Sequence, residues 1–258
     1  MKNVDFEHPL AIKIRKQIVQ ALNDFNMIED GDKVMVCVSG GKDSSVLLAL
    51  LTEIQRRSER KFKIEAAILD QKQPGFVVEK FKTWVEGLGV RLHVIERDTY
   101  SIVKEKVQGG TYCSLCSRLR RAILYDFAHI NGFTKLALGH HRDDVVHTAL
   151  LNLFYAGMTS SMPPKLKSDD ERNILLRPLC YVSEREIEEL ATAWAFPVIP
   201  CNLCGSQDGL KRQRIKKMVR DLECEIPAIY PTIQNAMANV KPSHLMDQEL
   251  WDFKNLKV

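Results

Sequence analysis

The sequence predicts an α/β fold of Rossmann-like type: a doubly wound, parallel five-stranded sheet with an N-terminal helix and a small C-terminal lobe. Three observations predict it. Short apolar runs of strand length alternate with longer stretches of helical period from residue 33 to the helix that starts near Ser183. A Ser-Gly-Gly turn closes the first of those runs, at the strand end where such sheets bind ligands. At 258 residues and 45% hydrophobic, the chain can bury about three quarters of its surface in one large domain, or in a domain with a lobe.

Leu10, Ile14, Ile18, Leu22 and Phe25 recur at helical spacing and make residues 1–30 a helical cover, which EDGDK ends. Strands are expected at 33–38, 63–69, 91–96, 134–139 and 173–180. Helices are expected at 44–57, 76–88, 114–130, 144–156 and from Ser183 onward. Such alternation implies right-handed crossovers with helices on both faces of the sheet. The stretch AGMTSSMPPKLKSDDERN at 156–173 shows no period and reads as a long mobile loop. Past about residue 200 the pattern changes to PCNLCGSQ, a basic helix, and a tail with Pro, Asn and His. The expected units are therefore the cover at 1–30, a central domain at 31–200 and a lobe at 201–258.

No run approaches the ~18 apolar residues of a membrane span. The segment MKNVDFEHPLAIKIRKQ carries charges where a signal peptide is apolar, so a cytoplasmic protein with no membrane partner is expected. In that reducing setting, seven cysteines, four of them in CSLC and CNLC, argue for metal or sulfur chemistry rather than disulfides. Cys37, inside the first strand, reads as a small core residue. The net charge of +4 is mild but unevenly placed. KRQRIKKMVR brings Lys211, Arg212, Arg214, Lys216, Lys217 and Arg220 onto one helix, with Leu210, Ile215, Met218, Val219 and Leu222 as an apolar stripe. This is a basic face for nucleic acid or an ordinary solvated one.

SGGKDS, at 39–44, has the chemistry of a phosphate cradle. Gly40 and Gly41 let backbone N–H groups approach an anion, Ser39 and Ser44 add hydroxyls, and the next helix aims its positive end there. Neither G-x-x-x-x-G-K-S/T nor G-x-G-x-x-G is present. Asp70, closing the second strand, is placed either to meet a nucleotide or metal or to form a turn. In GHHRDD, Gly139 ends a strand and Asp143 and Asp144 open a helix. With His147 one turn on, these are candidate metal ligands, and a carboxylate beside a triphosphate suits Mg²⁺. The alternative makes Asp143 a helix cap and His147 exposed. Cys113 and Cys116 lie at a helix start, which favours thiolate, and Arg118, Arg120 and Arg121 follow them. Together with Cys201 and Cys204 they could close a tetrahedral zinc site between domain and lobe.

SGGKDS is also similar to the PP-loop, S-G-G-x-D-S, of N-type ATP pyrophosphatases, which share an adenine nucleotide alpha hydrolase-like fold. With LDQKQPGF at 69–76, CSLCSRLRR at 113–121, GHHRDD at 139–144, MPPKL at 162–166, RPL at 177–179 and IPCNLCGSQ at 199–207, the chain resembles the TtcA-type tRNA 2-thiocytidine synthetases over most of its length. The resemblance implies ATP cleavage between the α- and β-phosphates, with the 2-oxo group of a cytidine at tRNA position 32 replaced by sulfur. Its cofactors would be Mg²⁺ and a 4Fe-4S cluster.

Carried onto this sequence, the resemblance puts Ser39, Gly40, Gly41, Lys42, Asp43, Ser44, Asp70 and Gly139 around ATP. Lys42 would meet the leaving pyrophosphate, Asp43 and Asp143 would hold Mg²⁺, and Asp144 and Arg120 would serve catalysis. Cys113, Cys116 and Cys204 would hold three irons and leave the fourth open to a sulfur species, with Cys201 a neighbour. Arg121, Lys211, Arg212 and Arg214 would hold RNA. The implied partners are the tRNA anticodon loop and a cysteine desulfurase or other persulfide source; a homodimer is compatible with the chain. The sequence departs from the family at His147, where relatives tend to carry Glu or Gln, and at AGMTSS, which replaces a Gly- and Lys-containing stretch. Two rivals stand beside this reading: another PP-loop enzyme acting on a different base or amide, and an ATP- and RNA-binding module stapled by Cys₄ zinc.

Overall fold

A computed structural model describes residues 4–73, 76–106, 112–197, 199 and 207–256, without the side chains of 103, 104, 106, 112–114 and 207–209. The helix α1 (Pro9–Asp24) precedes β1 (Lys33–Val38), α2 (Lys42–Arg57), β2 (Lys63–Asp70), α3 (Glu79–Gly87), β3 (Leu92–Glu96) and α4 (Thr99–Lys106). Then come α5 (Tyr112–Ile130), β4 (Lys135–Leu138) and α6 (Arg142–Leu151), which runs into a π-helical turn at Asn152–Ala156. β5 (Lys165–Lys167), β6 (Ile174–Leu176), α7 (Glu184–Trp194), α8 (Gln207–Glu225), α9 (Ile229–Ala238) and a 3₁₀ turn at Pro242–His244 follow among the described residues.

The strand order is β3-β2-β1-β4-β6-β5. β1, β2, β3, β4 and β6 pair in parallel, which is the expected five-stranded core. Their residues read as apolar runs because helices cover both faces. On one face, Val36, Ala66 and Ile68 pack with Ile14 and Ile18 of α1, Leu47, Leu48 and Leu51 of α2, Phe81 of α3 and Leu190 of α7. On the other, Met35, Ala67, Leu69 and Leu136 lie beneath Ala128 of α5 and Phe133. α2 is buried without interruption from Ser44 to Ile54, so its start is held against the sheet and not left to fray.

Two expectations need correction, and one segment left unassigned proves helical. The stretch 156–173 is not a loop throughout: Lys165–Lys167 forms a sixth strand, antiparallel to β6, with Leu166 opposite Leu175. Three residues, two of them Lys, carry no readable period. The strand expected at 173–180 ends at Leu176, because Pro178 has no N–H for a ladder. The tail after the basic helix contains α9, in which Pro231 sits within the first turn, where its missing N–H costs no intrahelical bond. α8 and α9 pack on α6 through Val146, Ile215, Val219 and Tyr230.

Candidate active site at the carboxyl edge of the sheet

The strand order reverses between β1 and β4, and the crevice outside their carboxyl ends is where doubly wound sheets place ligands. SGGKDS follows β1 and GHHRDD follows β4, so the two polar segments face each other across that point.

The cradle is shaped by its own hydroxyls. Ser44 Oγ accepts from the Ser39 N–H at 3.1 Å and donates to the Gly41 carbonyl at 3.2 Å, while the Ser45 hydroxyl donates to the same carbonyl at 2.9 Å. Gly40 has φ +77, and a Cβ there would sit 2.6 Å from Ile199 Cβ. The Ile199 N–H donates to the Gly40 carbonyl at 2.9 Å. A Cβ on Gly139 would lie 2.9 Å from Ser44 N, so this glycine lets β4 approach the first turn of α2. Gly41 caps α2 with no side-chain hydrogen bond. The first amides of the helix therefore keep their capacity for an anion, reinforced by the helix dipole.

Charge is concentrated beside that cradle. Lys42 Nζ lies 3.3 Å from Asp43 Oδ1, 3.5 Å from Glu188 Oε1 and 3.7 Å from Glu184 Oε1. Burial works against the Lys42 ammonium, but Asp43, Glu184 and Glu188 outweigh it and hold its pKa above the ordinary lysine value. The Asp43 carboxyl is pushed up by burial, against the pull of Lys42 and His141. Its Oδ1 is buried, with the Lys42 ammonium beside it. Asp43, His141, Asp144, Glu184, Arg212 and Lys216 line a cleft of about 400 Å³.

At the mouth of β4, His141 and not Asp143 caps α6, in a reciprocal box with Asp144. Asp143, only 6% exposed, accepts the Glu184 N–H at 3.0 Å and so fastens α6 to the start of α7. Burial raises the Asp144 carboxyl, and the charges of His141, Arg212 and His140 outweigh it, leaving its pKa lowered. His147 is buried at 3% exposure, with Nε2 3.3 Å from the Tyr230 hydroxyl. The alternative of a capping Asp143 with an exposed His147 is therefore corrected on both counts: an imidazole can cap through Nδ1, and α9 covers His147. Among the described residues no group of three or more His, Cys, Asp or Glu is arranged to hold a metal ion.

The remaining candidates divide. Cys116 Sγ donates to Gln71 Oε1 at 3.2 Å, and Gln71 follows β2 directly, so this sulfur sits at the carboxyl edge that carries the cradle. The Cys113 side chain, Cys201 and Cys204 lie outside the described residues. Arg120 is half-buried and its charge bears on Cys37, whose thiol is pushed up to about 12 by burial. Arg121 is exposed, and its Nε meets the Ser117 carbonyl at 3.4 Å. Asp70 accepts the Lys72 N–H at 2.7 Å, which is a turn bond. Lys211 and Arg214 are exposed, whereas Arg212 Nη2 lies on Asp144 Oδ1 at 2.9 Å.

Sequence reasoning missed His141, Glu184, Gln71 and Ile199. Only Glu184 carried a usable signal, since S-x-x-E at 183–186 marks a helix start and makes Glu184 its first residue. Glu184 joins Lys42 to Lys216, at 2.5 Å from the latter.

The family model for the PP-loop domain matches residues 10–219. Over 98% of both chains, the sequence is 86% identical to the tRNA-cytidine(32) 2-sulfurtransferase of Bdellovibrio bacteriovorus. It is 52% identical to the enzyme of the same name from Coxiella burnetii, over 95% of this chain and 96% of that one. Among solved structures, the fold is similar to that of the U34-tRNA thiolase NcsA from Methanococcus maripaludis, described with its 4Fe-4S cluster. The TM-score is 0.70 at 20% identity, over 90% of this chain and 80% of that one. Since the matched span runs from α1 through the cradle to α8, and relatedness extends over nearly the whole length, the chain belongs to the PP-loop family and, within it, to the tRNA-cytidine(32) 2-sulfurtransferases.

Proposed function

We propose that the chain activates O2 of cytidine 32 in the tRNA anticodon loop with ATP and replaces it with sulfur, giving 2-thiocytidine. The observation that carries this is the α2 start: a helix N-terminus with no side-chain cap and with Lys42 at the strand-order reversal, in a chain 86% identical to a tRNA-cytidine(32) 2-sulfurtransferase. The base leaves its stack to reach the cleft. Its O2 attacks the α-phosphate and pyrophosphate departs. The charge gained by pyrophosphate is met by Lys42, the amides of residues 40–44 and the Ser39 and Ser44 hydroxyls. Displacement at C2 by sulfide-level sulfur, freed from the persulfide donor by a two-electron thiol reductant, then releases AMP with the original oxygen.

The donor chemistry fits the groups that the family implies. Asp43, which lines the cleft with Asp144, and Asp143 would offer carboxylates to Mg²⁺, which neutralises phosphate charge when bound. Cys113, Cys116 and Cys204 would hold a 4Fe-4S cluster, which supplies an iron open to a sulfur species. The position of Cys116 at the cradle's edge of the sheet supports this. Arg120 and Asp144 would orient the adenylate, while Arg121, Lys211, Arg212 and Arg214 would draw in the RNA backbone. A cysteine desulfurase or other persulfide source would supply the sulfur, in the cytoplasm.

Nucleoside mass spectrometry of tRNA from a deletion strain tests the reading. 2-Thiocytidine should vanish, return with the wild-type chain and stay absent with Lys42→Ala; its persistence in the deletion would overturn the substrate assignment. Anaerobically purified protein should be brown, with iron and acid-labile sulfide, and Cys201→Ser should keep both. One zinc in a colourless protein would favour the Cys₄ staple.

A further inference from the structure

We propose that the π-helical turn at the end of α6 is a stacking platform for unpaired bases of the RNA, with Phe154 and Tyr155 as its surface and Lys211 as the adjoining phosphate contact. This rests on the reading of the chain as an RNA-modifying enzyme and extends it to residues outside the cleft.

The turn exposes what a helix would ordinarily bury. Phe154 is 55% exposed, Tyr155 46%, Leu153 51% and Met158 52%. Val146 and Leu150 of α6 face α8 and α9, and an unbroken α-helix would carry that stripe on through 153 and 154. The switch to π-helical hydrogen bonding at Asn152–Ala156 swings these residues off the stripe and into solvent.

The platform is also fixed in place. Gly157, at φ +65, ends the turn. The Asn152 side chain donates to the Ser160 carbonyl at 2.9 Å, and the Ser161 hydroxyl donates to the Val145 carbonyl at 2.5 Å, tying the following segment back along α6.

Charge selects the occupant. Lys211 Nζ stands 5.1 Å from the centre of the Tyr155 ring. Lys211, Arg214 and Arg220 are exposed and have no carboxylate within ion-pair distance among the described residues. Aromatic faces beside cations without counter-ions match alternating bases and phosphates of a single strand, since every base offers a π-face. The platform continues into the candidate active site, because the next residue along α8, Arg212, bonds Asp144 in the cleft.

Fluorescence anisotropy should compare two RNAs, an anticodon stem-loop and a blunt duplex of the same stem, on the full chain. Phe154→Ala combined with Tyr155→Ala should weaken stem-loop binding on the order of 10-fold or more. Duplex affinity and the salt slope should hold. Lys211→Ala should instead reduce the salt slope by about one, for both RNAs. Tyr155→Phe should behave as wild type, and the melting temperature of the double variant should match wild type because both side chains are exposed. Unchanged stem-loop affinity, or an equal loss on both RNAs, would overturn the platform while leaving the enzyme reading intact. A dimer that becomes monomeric in the double variant, with RNA affinity unchanged, would assign the patch to a second copy of the chain. Failure of the wild type to bind either RNA would sink the enzyme reading and the platform with it.

Discussion

Arg212 of α8 places its guanidinium 2.9 Å from the Asp144 carboxylate of α6, so a residue of the basic helix also sets the charge of the nucleotide cleft. The pair is partly exposed and adds little stability, about 1 kcal/mol at most. Its effect is electrostatic: with Arg212 gone, one of the charges that keep the Asp144 pKa low is lost. In Arg212→Ala the acid limb of the pH profile for ATP cleavage should move to higher pH, and Arg212→Lys should restore most of the shift. An unmoved limb would remove Asp144 from the chemistry.

Lys42 is held by three carboxylates and should exchange them for phosphate when ATP binds. A donor that meets charge developing in the transition state contributes mainly to turnover, about 100- to 1000-fold. Lys42→Ala should therefore lower kcat for pyrophosphate release far more than it raises KM. Equal changes in both would make Lys42 a simple binding residue.

Gly139→Ala drives a Cβ into Ser44 N at 2.9 Å, where only backbone can yield. It should cost about 1–3 kcal/mol of stability and loosen nucleotide binding. Gly87→Ala, which meets nothing within 4 Å, serves as the control and should be neutral or slightly stabilising. Chemical denaturation and ATP titration of both variants separate the two effects.

His140 is held neutral: burial lowers its pKa to about 4, opposed by Asp144 and assisted by Arg177, Arg212 and His141. The unfolded chain takes up this proton below about 6.5 and the folded chain only below about 4. Stability from this group is thus complete above pH ~6.5 and lost as pH falls towards 4, by up to about 3 kcal/mol. His140→Gln should flatten the fall in melting temperature across that window, and an unchanged slope would show that other groups govern it.

Much of this was legible in the sequence because it depends on period and local spacing. The parallel strands announce themselves as apolar runs between helices, and SGGKDS names its own turn. The partners of the cradle were not legible, because they come from distant segments that only the folded chain brings together. Glu184 reaches Lys42 from the start of α7, Ile199 closes on Gly40 from beyond its end, and Gln71 meets Cys116 across 45 positions. His141 was hidden for a different reason, since histidine is an uncommon cap and two aspartates stand beside it.

Ile199 gives its N–H to Gly40 and fills the space that a side chain there would need. It also stands two positions before Cys201 in the chain. In sequence, the segment that carries the second thiol pair thus follows a residue locked onto the SGGKDS turn. A substitution at either Gly40 or Ile199 would therefore disturb the other through that one contact.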